Sequence, residues 1–404
     1  EATAAALLGS LGCMTLERIS RRVGAIAPSA TLAVSNKAKA LKAAGENVIG
    51  FGAGEPDFAT PDHIVEAAVA ACRDPKMHKY SAVGGLPELK DAIAAKTMRD
   101  SGLEVDPASV LVTNGGKHAV YNCFEALINP GDEILLPTPY WTTYPEPIAL
   151  AGGITVPLIT DALGGFRVTV DQLEAARTPS TKALVFVSPS NPTGAVYPRD
   201  EIEAIGRWAV EHDIWVITDE IYEHLVYGAN EFHSLPVVVP EIADKCVVLN
   251  GVAKTYAMTG WRIGYSVWPE SLIDLATRLC INDHSCVNAA TQYAALEALN
   301  GPQGEVDTMV AAFDERRSVI VDELNSIPGF RCPTPGGAFY TFPNISGTGR
   351  TSRELQDLFL EKAGVATVSG TSFGEYGEGY LRFSYANSTE NIREAVRRMK
   401  EVLA

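Results

Sequence analysis

Residues 183–222 read ALVFVSPSNPTGAVYPRDEIEAIGRWAVEHDIWVITDEIY, and this stretch decides the fold class. Ala183–Val187 is a short, unbroken apolar run and reads as a strand. A turn rich in Pro and Gly follows at 188–194, and a helix is expected from Arg199 to His212. Ile214–Thr218 is a second apolar run. Strand, helix and strand in that order predict a parallel pair with helices covering both faces.

The same alternation extends in both directions. Val110-Leu111-Val112 reads as a strand, then come Asn114-Gly115-Gly116 and a helical pattern that puts Ala119, Cys123, Ala126 and Leu127 on one face. Glu133–Leu136, Ile154–Ile159 and Lys245–Leu249 are further strand candidates. The expected class is therefore α/β with a largely parallel sheet, whose ligands gather beyond the carboxyl ends of the strands. After about Asn300 a long helical pattern runs to Asn325, followed by the turns of Pro333-Thr334-Pro335-Gly336-Gly337. Short strands near Phe339–Phe342 and Tyr380–Tyr385 and helices near Ser352–Lys362 and Thr389–Val402 complete this part. The expected division is an upstream extension at 1–13, an arm and part of a small domain at 14–60, a large domain at 61–300 and a small α+β domain at 301–404. There is no internal repeat or low-complexity tract.

Composition narrows the function. With 404 residues, 46% of them apolar, the chain can bury a large core. Its 49 acidic and 33 basic residues give a formal charge of -16, which repels nucleic acid and anionic membrane. An anionic ligand then needs a local basic site. The seven cysteines have no CxxC spacing and the seven histidines no HExxH pair, so neither a disulfide framework nor a metal site is expected, and a reducing cytoplasm is. Residues 1–13 lack the basic leading region of a signal peptide, and no apolar stretch such as Pro236–Val239 is long enough to cross a bilayer.

Four groups stand just after predicted strands. Asp219-Glu220-Ile221-Tyr222 follows Ile214–Thr218; adjacent acids there read equally well as turn residues in solvent. Asn250-Gly251-Val252-Ala253-Lys254 follows Lys245–Leu249, and the small apolar neighbours allow Lys254 to be desolvated, which lowers its pKa and makes the amine nucleophilic. Eight residues on, Arg262 sits inside the apolar run Trp261-Arg262-Ile263-Gly264-Tyr265, where an arginine generally pairs with an anion. Turn chemistry explains Ser188–Gly194 except for Asn191, held between two prolines. Gly115-Gly116-Lys117 lies between a strand and a helix, where free backbone N–H groups favour phosphate.

Taken in order with Gly54-Glu55-Pro56-Asp57-Phe58, these motifs resemble the fold-type I, class I aminotransferases from about Ile19 to the C-terminus. The likeness is to the bacterial-type aspartate aminotransferase branch, which also holds aspartate/prephenate enzymes. The resemblance implies a mostly parallel seven-stranded sheet and pyridoxal 5'-phosphate carried by Lys254 as a Schiff base. Lys254 would also shuttle the substrate proton. Asp219 would keep the pyridine nitrogen protonated, Tyr222 and Asn191 would bond the ring's phenolic oxygen, and Trp141 would stack on the ring. Arg262, Gly115 and Gly116 would hold the phosphate, helped by Tyr80 from a neighbouring subunit in a homodimer. Arg382, in Tyr380-Leu381-Arg382-Phe383-Ser384, would grip the substrate's α-carboxylate, with Gly54 close by. Lys117 and Ser29-Ala30-Thr31 would hold a distal carboxylate, which favours aspartate or glutamate as amino donor and a 2-oxo acid as acceptor.

Two positions depart from that branch. His118 stands where Gln is usual, and Asn282-Asp283-His284-Ser285 replaces a neutral stretch. Asp283 would either repel a distal carboxylate or point to solvent, and the solvated orientation is the expected one. A pyridoxal-phosphate lyase on the same fold shares Lys254, Asp219 and Tyr222; the Lys117 pairing and the undisturbed 380–387 segment favour transamination. A non-catalytic regulator would need a DNA-binding domain and a basic patch, and the chain shows neither.

Overall fold

The computed structural model describes residues 19–404; the extension expected at 1–13 lies outside the described residues. Seven strands form the principal sheet: β1 (Val110–Thr113), β2 (Glu133–Thr138), β3 (Ile154–Ile159), β4 (Thr181–Val187), β5 (Trp215–Asp219), β6 (Cys246–Gly251) and β7 (Gly264–Val267). Their order across the sheet is β1-β7-β6-β5-β4-β2-β3. The pairings from β6 to β3 are all parallel, whereas β7 runs antiparallel to both β1 and β6.

The central strands are buried on both faces, as continuous Val, Ile and Leu runs require. Ala183, Leu184, Val216, Ile217 and Val247 have essentially no exposed surface. The helix Arg199–Glu211 carries β4 over to β5 and buries Ile202, Ile205 and Trp208 against one face. On the other face the helix Gly116–Leu127 packs Val120, Cys123 and Phe124.

Six of the seven strands coincide with the apolar runs read from the sequence. The seventh, β7, does not, because Gly264-Tyr265-Ser266-Val267 is short and not continuously apolar. Its direction matters for the site. Gly251, the last residue of β6, faces Gly264, the first of β7. The connection 252–263 therefore leaves and re-enters the sheet at one point on the carboxyl edge.

Beyond the sheet, the helix Gly304–Asn325 leads into a three-stranded sheet in which Leu381–Ser384 lies between Val368–Ser369 and Tyr340–Thr341. Ile49–Gly50 pairs in parallel with Val365–Ala366, and Ser384 N–H donates to the Phe51 carbonyl at 2.8 Å. These ties bring the N-terminal Gly52–Gly54 stretch and Arg382 to the same edge. No helix among the described residues is long and apolar enough to cross a membrane.

Candidate active site

The carboxyl ends of β4, β5 and β6 deliver Asn191, Asp219 and Lys254 to a common region. Asp219 is buried at the end of β5. Its Oδ2 accepts a hydrogen bond from the Tyr144 hydroxyl at 2.7 Å, and its Oδ1 accepts from Ile221 N–H at 3.2 Å. Burial raises the Asp219 pKa above the ordinary carboxylate range; the Tyr144 and Ile221 hydrogen bonds and nearby Lys254 pull the other way.

Lys254 donates from Nζ to the Gly54 carbonyl. Burial pushes its amine down to about 8; Arg382 and Arg262 act in the same direction, and Glu55 and Asp219 oppose them. A lysine that sheds its proton this close to neutrality is poised as a nucleophile and a base. The ammonium position lies 5.9 Å from the Tyr222 ring and 5.8 Å from that of Phe339. Tyr222 and Tyr340 share a hydroxyl–hydroxyl bond of 2.9 Å, both being buried.

Arg382 is only 3% exposed. It donates through Nη1 to Asn191 Oδ1 at 3.0 Å and through Nη2 to the Gly52 carbonyl at 2.7 Å. Its Nε has no partner, and among the described residues no carboxylate forms an ion pair with it. Its guanidinium also lies 4.6 Å from the Tyr340 ring and 4.8 Å from that of Phe373. Burial lowers its pKa, yet a guanidinium stays charged. A buried cation met only by neutral acceptors and ring faces calls for an anion.

A second cationic position lies at the start of β7. Arg262 has a left-handed backbone (φ 55°) and donates to the Thr259 carbonyl at 2.9 Å and the Asn114 carbonyl at 3.4 Å. It, too, has no carboxylate partner among the described residues. Gly115 leaves room for it: a Cβ at this position would come within 2.4 Å of Arg262 Nη2. With φ +86° and ψ 161°, Gly115 occupies a region open to glycine alone. The helix it precedes has no side-chain cap. A guanidinium over a bare glycine at an uncapped helix N-terminus is a phosphate cradle.

Trp141 meets Tyr144 edge to face, with centroids 5.5 Å apart, and Lys117 Nζ lies 5.2 Å from the Trp141 ring. Burial and the Arg262 charge lower the Lys117 pKa. Gly54 is constrained by Tyr340, whose hydroxyl would lie 2.8 Å from a Cβ there. Two predicted residues are not brought in. Tyr80 stands 91% exposed, and Thr31 bonds the Ser29 hydroxyl, which itself caps its helix by accepting from Leu32 N–H.

Asp283 is exposed, as expected, but it does not stand alone. Its Oδ2 pairs with His118 Nε2, and about a third of its side chain stays open to solvent. The histidine at the position where Gln is usual is what holds it.

Three site residues escaped the sequence reading. Tyr144 could have been found as a second aromatic one helical turn after Trp141. Tyr340 gave no local signal, because strand pairing brings it in from far along the chain. Glu223 accepts from buried Lys96 and from Asn250 Nδ2 (2.8 Å), tying the segment after β5 to the end of β6. Glu220 beside it is pushed up to about 8 by burial and then by the Glu223 charge, and accepts from Ser234 at 2.9 Å.

Comparison with known proteins covers nearly the whole chain. Residues 46–399 match the family described as aminotransferase class I and II. An aspartate aminotransferase of Streptomyces avermitilis is 59% identical, the match covering 96% of this chain and 97% of that one. An aspartate/prephenate aminotransferase of Cereibacter sphaeroides is 45% identical, over 96% of this chain and 98% of that one. Among solved structures, the aspartate aminotransferase of Thermus thermophilus with maleate superposes with a TM-score of 0.91 at 41% identity, covering 95% of this chain and 99% of that one. The family match spans the stretch of chain that carries this lysine, both arginines and the seven-stranded sheet: the chain belongs to the class I and II aminotransferases.

Proposed function

We propose that this enzyme moves the amino group of L-aspartate, or of glutamate, to a 2-oxo acid such as 2-oxoglutarate, using pyridoxal 5'-phosphate bound at Lys254. The observation that carries the reading is the pair of cationic positions, Arg382 and Arg262, each without a carboxylate partner among the described residues, whose charges both act on a lysine with a pKa lowered to about 8. One anion position suits the α-carboxylate common to all amino acids; the other suits a cofactor phosphate. Bound there, pyridoxal phosphate supplies an aldehyde for amines and a ring that accepts the electron pair left when an α-proton departs.

The chain's own groups have distinct tasks. Asp219, ionised and steadied by Tyr144, holds a proton on the ring nitrogen. Asn191 spends its Oδ1 on Arg382, which leaves its Nδ2 to donate to the ring's phenolic oxygen beside the Tyr222 hydroxyl. Lys254 Nζ takes the proton from the substrate α-carbon and returns it during transfer. Trp141 covers one face of the ring. Gly115, Gly116 and Arg262 bind the phosphate, and exposed Tyr80 reaches the same group in a second copy of the chain.

A dicarboxylate substrate is favoured by Lys117, which lies beside Trp141, and by the names of the relatives; the Thermus neighbour was solved with maleate, itself a four-carbon dicarboxylate. A second reading, use of prephenate as acceptor, rests on the relatives that carry that activity in their name. The test is a panel of amino donors with 2-oxoglutarate, followed by the absorbance of the bound cofactor. Aspartate and glutamate should lead, and each donor used should convert the cofactor stoichiometrically to its pyridoxamine form. A preference for aromatic or basic donors would reject the substrate class, and turnover without that conversion would indicate a lyase.

A further inference from the structure

His118, Asp283 and His284 form a cluster beside the active site, joined to it by the hydrogen bond from Asn114 N–H to His118 Nδ1. His118 lies in the first turn of the helix Gly116–Leu127, whereas Asp283 ends the helix Glu270–Asp283 and His284 is its C-cap residue. One ligand atom from each lies within 4.8 Å of the others. Asp283 Oδ2 faces His118 Nε2 and lies 3.6 Å from His284 Nδ1. The two imidazole rings meet edge to face with centroids 4.5 Å apart.

His284 supplies an independent observation. Its side chain is only 8% exposed, yet among the described residues neither ring nitrogen has a hydrogen-bond partner. Buried polar groups are nearly always satisfied, so two bare nitrogens on one ring ask for a ligand. Nδ1 already faces the carboxylate oxygen.

We propose that these three side chains bind one divalent transition-metal ion per chain, of the Zn²⁺ type. Two neutral imidazoles and a carboxylate are a donor set for borderline metals rather than for Ca²⁺ or Mg²⁺, and they leave a position for water. Ligand atoms around tetrahedral zinc sit roughly 3.3 Å apart, so modest side-chain rotation closes the 4.8 Å span. Asp283 is a third exposed and gives the ion a way in. One contact is surrendered: Asn114 N–H donates to His118 Nδ1 at 3.3 Å. With Nε2 on the ion, the ring proton moves to Nδ1 and that hydrogen bond is lost. The same Asn114 peptide offers its carbonyl to Arg262, so metal binding is felt at the phosphate cradle.

The experiment titrates chelator-treated, dialysed holoenzyme with Zn²⁺ against a chromophoric chelator. One tight equivalent per chain is expected. His284→Ala and Asp283→Asn should each weaken it by more than the roughly 10–100-fold that loss of an outer-shell partner costs. The Asn variant preserves shape, so it serves should the Ala variant fail to fold, with circular dichroism as the check. Loss of the equivalent in either folded variant supports the site. Retention in both would move the zinc to thiols or to scattered surface groups, and no tight equivalent in the wild type would leave nothing to assign; each result overturns the proposal.

Discussion

Replacing Arg382 with lysine keeps the charge and removes the fork. In the structure its guanidinium makes two hydrogen bonds to neutral acceptors, Asn191 Oδ1 at 3.0 Å and the Gly52 carbonyl at 2.7 Å, and has further N–H groups free for a carboxylate. A bidentate grip on the substrate's α-carboxylate makes two charge-assisted bonds, each worth about 1.5–3 kcal/mol. An ammonium can make one of them, so Arg382→Lys should lower kcat/KM by about 10–150-fold. Arg382→Ala forfeits both and should fall by roughly 10²–10⁴-fold on the same arithmetic. The loss should be alike for aspartate, glutamate and 2-oxoglutarate, since all carry the same carboxylate next to the reacting carbon. A coupled assay that follows oxaloacetate through NADH oxidation measures it, while cofactor absorbance and circular dichroism check that the site stays loaded and folded. If the folded, loaded lysine variant stays within about threefold of wild type, the buried guanidinium is a structural strut and the carboxylate binds elsewhere.

Four further outcomes are expected. Tyr144→Phe removes the 2.7 Å donor to Asp219, disfavours its ionised form, and should move the acid limb of kcat/KM to higher pH; an unchanged profile would make Tyr144 mere packing. Because burial holds the Lys254 amine at about 8, its neutral fraction grows as pH rises through 8, so cofactor uptake by apoenzyme should accelerate over that range and level off above it; Lys254→Ala should show no borohydride-fixed cofactor at any pH. Gly115→Ala puts a Cβ within 2.4 Å of Arg262 in a backbone region that costs about 1–3 kcal/mol for other residues, and should weaken pyridoxal phosphate binding in a direct titration. Lys117→Ala should raise KM for aspartate and 2-oxoglutarate by about 10–150-fold and leave that for alanine nearly unchanged; equal effects on all three would remove Lys117 from the distal site.

The parallel core of the fold was legible because β2, β4, β5 and β6 are buried along most of their length and so read as apolar runs. The antiparallel strand β7 was not, since its short mixed sequence owes its strand conformation to pairing with β1 on one side and β6 on the other. Lys254, Asp219 and Asn191 announced themselves by standing directly after strands. Tyr340 and the Lys96–Glu223–Asn250 network did not, because tertiary packing alone makes them neighbours. The pairing of exposed Asp283 with His118 was hidden for the same reason: most of the sheet separates the two in sequence.

The return of β7 alongside β6 has a mechanical consequence. Since Gly251 faces Gly264, the segment 252–263 is a tether with both ends pinned at one neck, and a Cβ on Gly251 would already sit 3.0 Å from the Gly264 Cα. Lys254 and Arg262 ride on the two limbs of that tether, so the chain between them serves as a gauge for the span from amine to anion position. An added or deleted residue there has no slack into which to escape; it must change the span. Lengthening the exposed turn near Leu163, by contrast, leaves that gauge untouched. Insertion scanning of this enzyme should find 255–261 the least forgiving stretch of loop in the molecule, even where the inserted residue is as small as glycine.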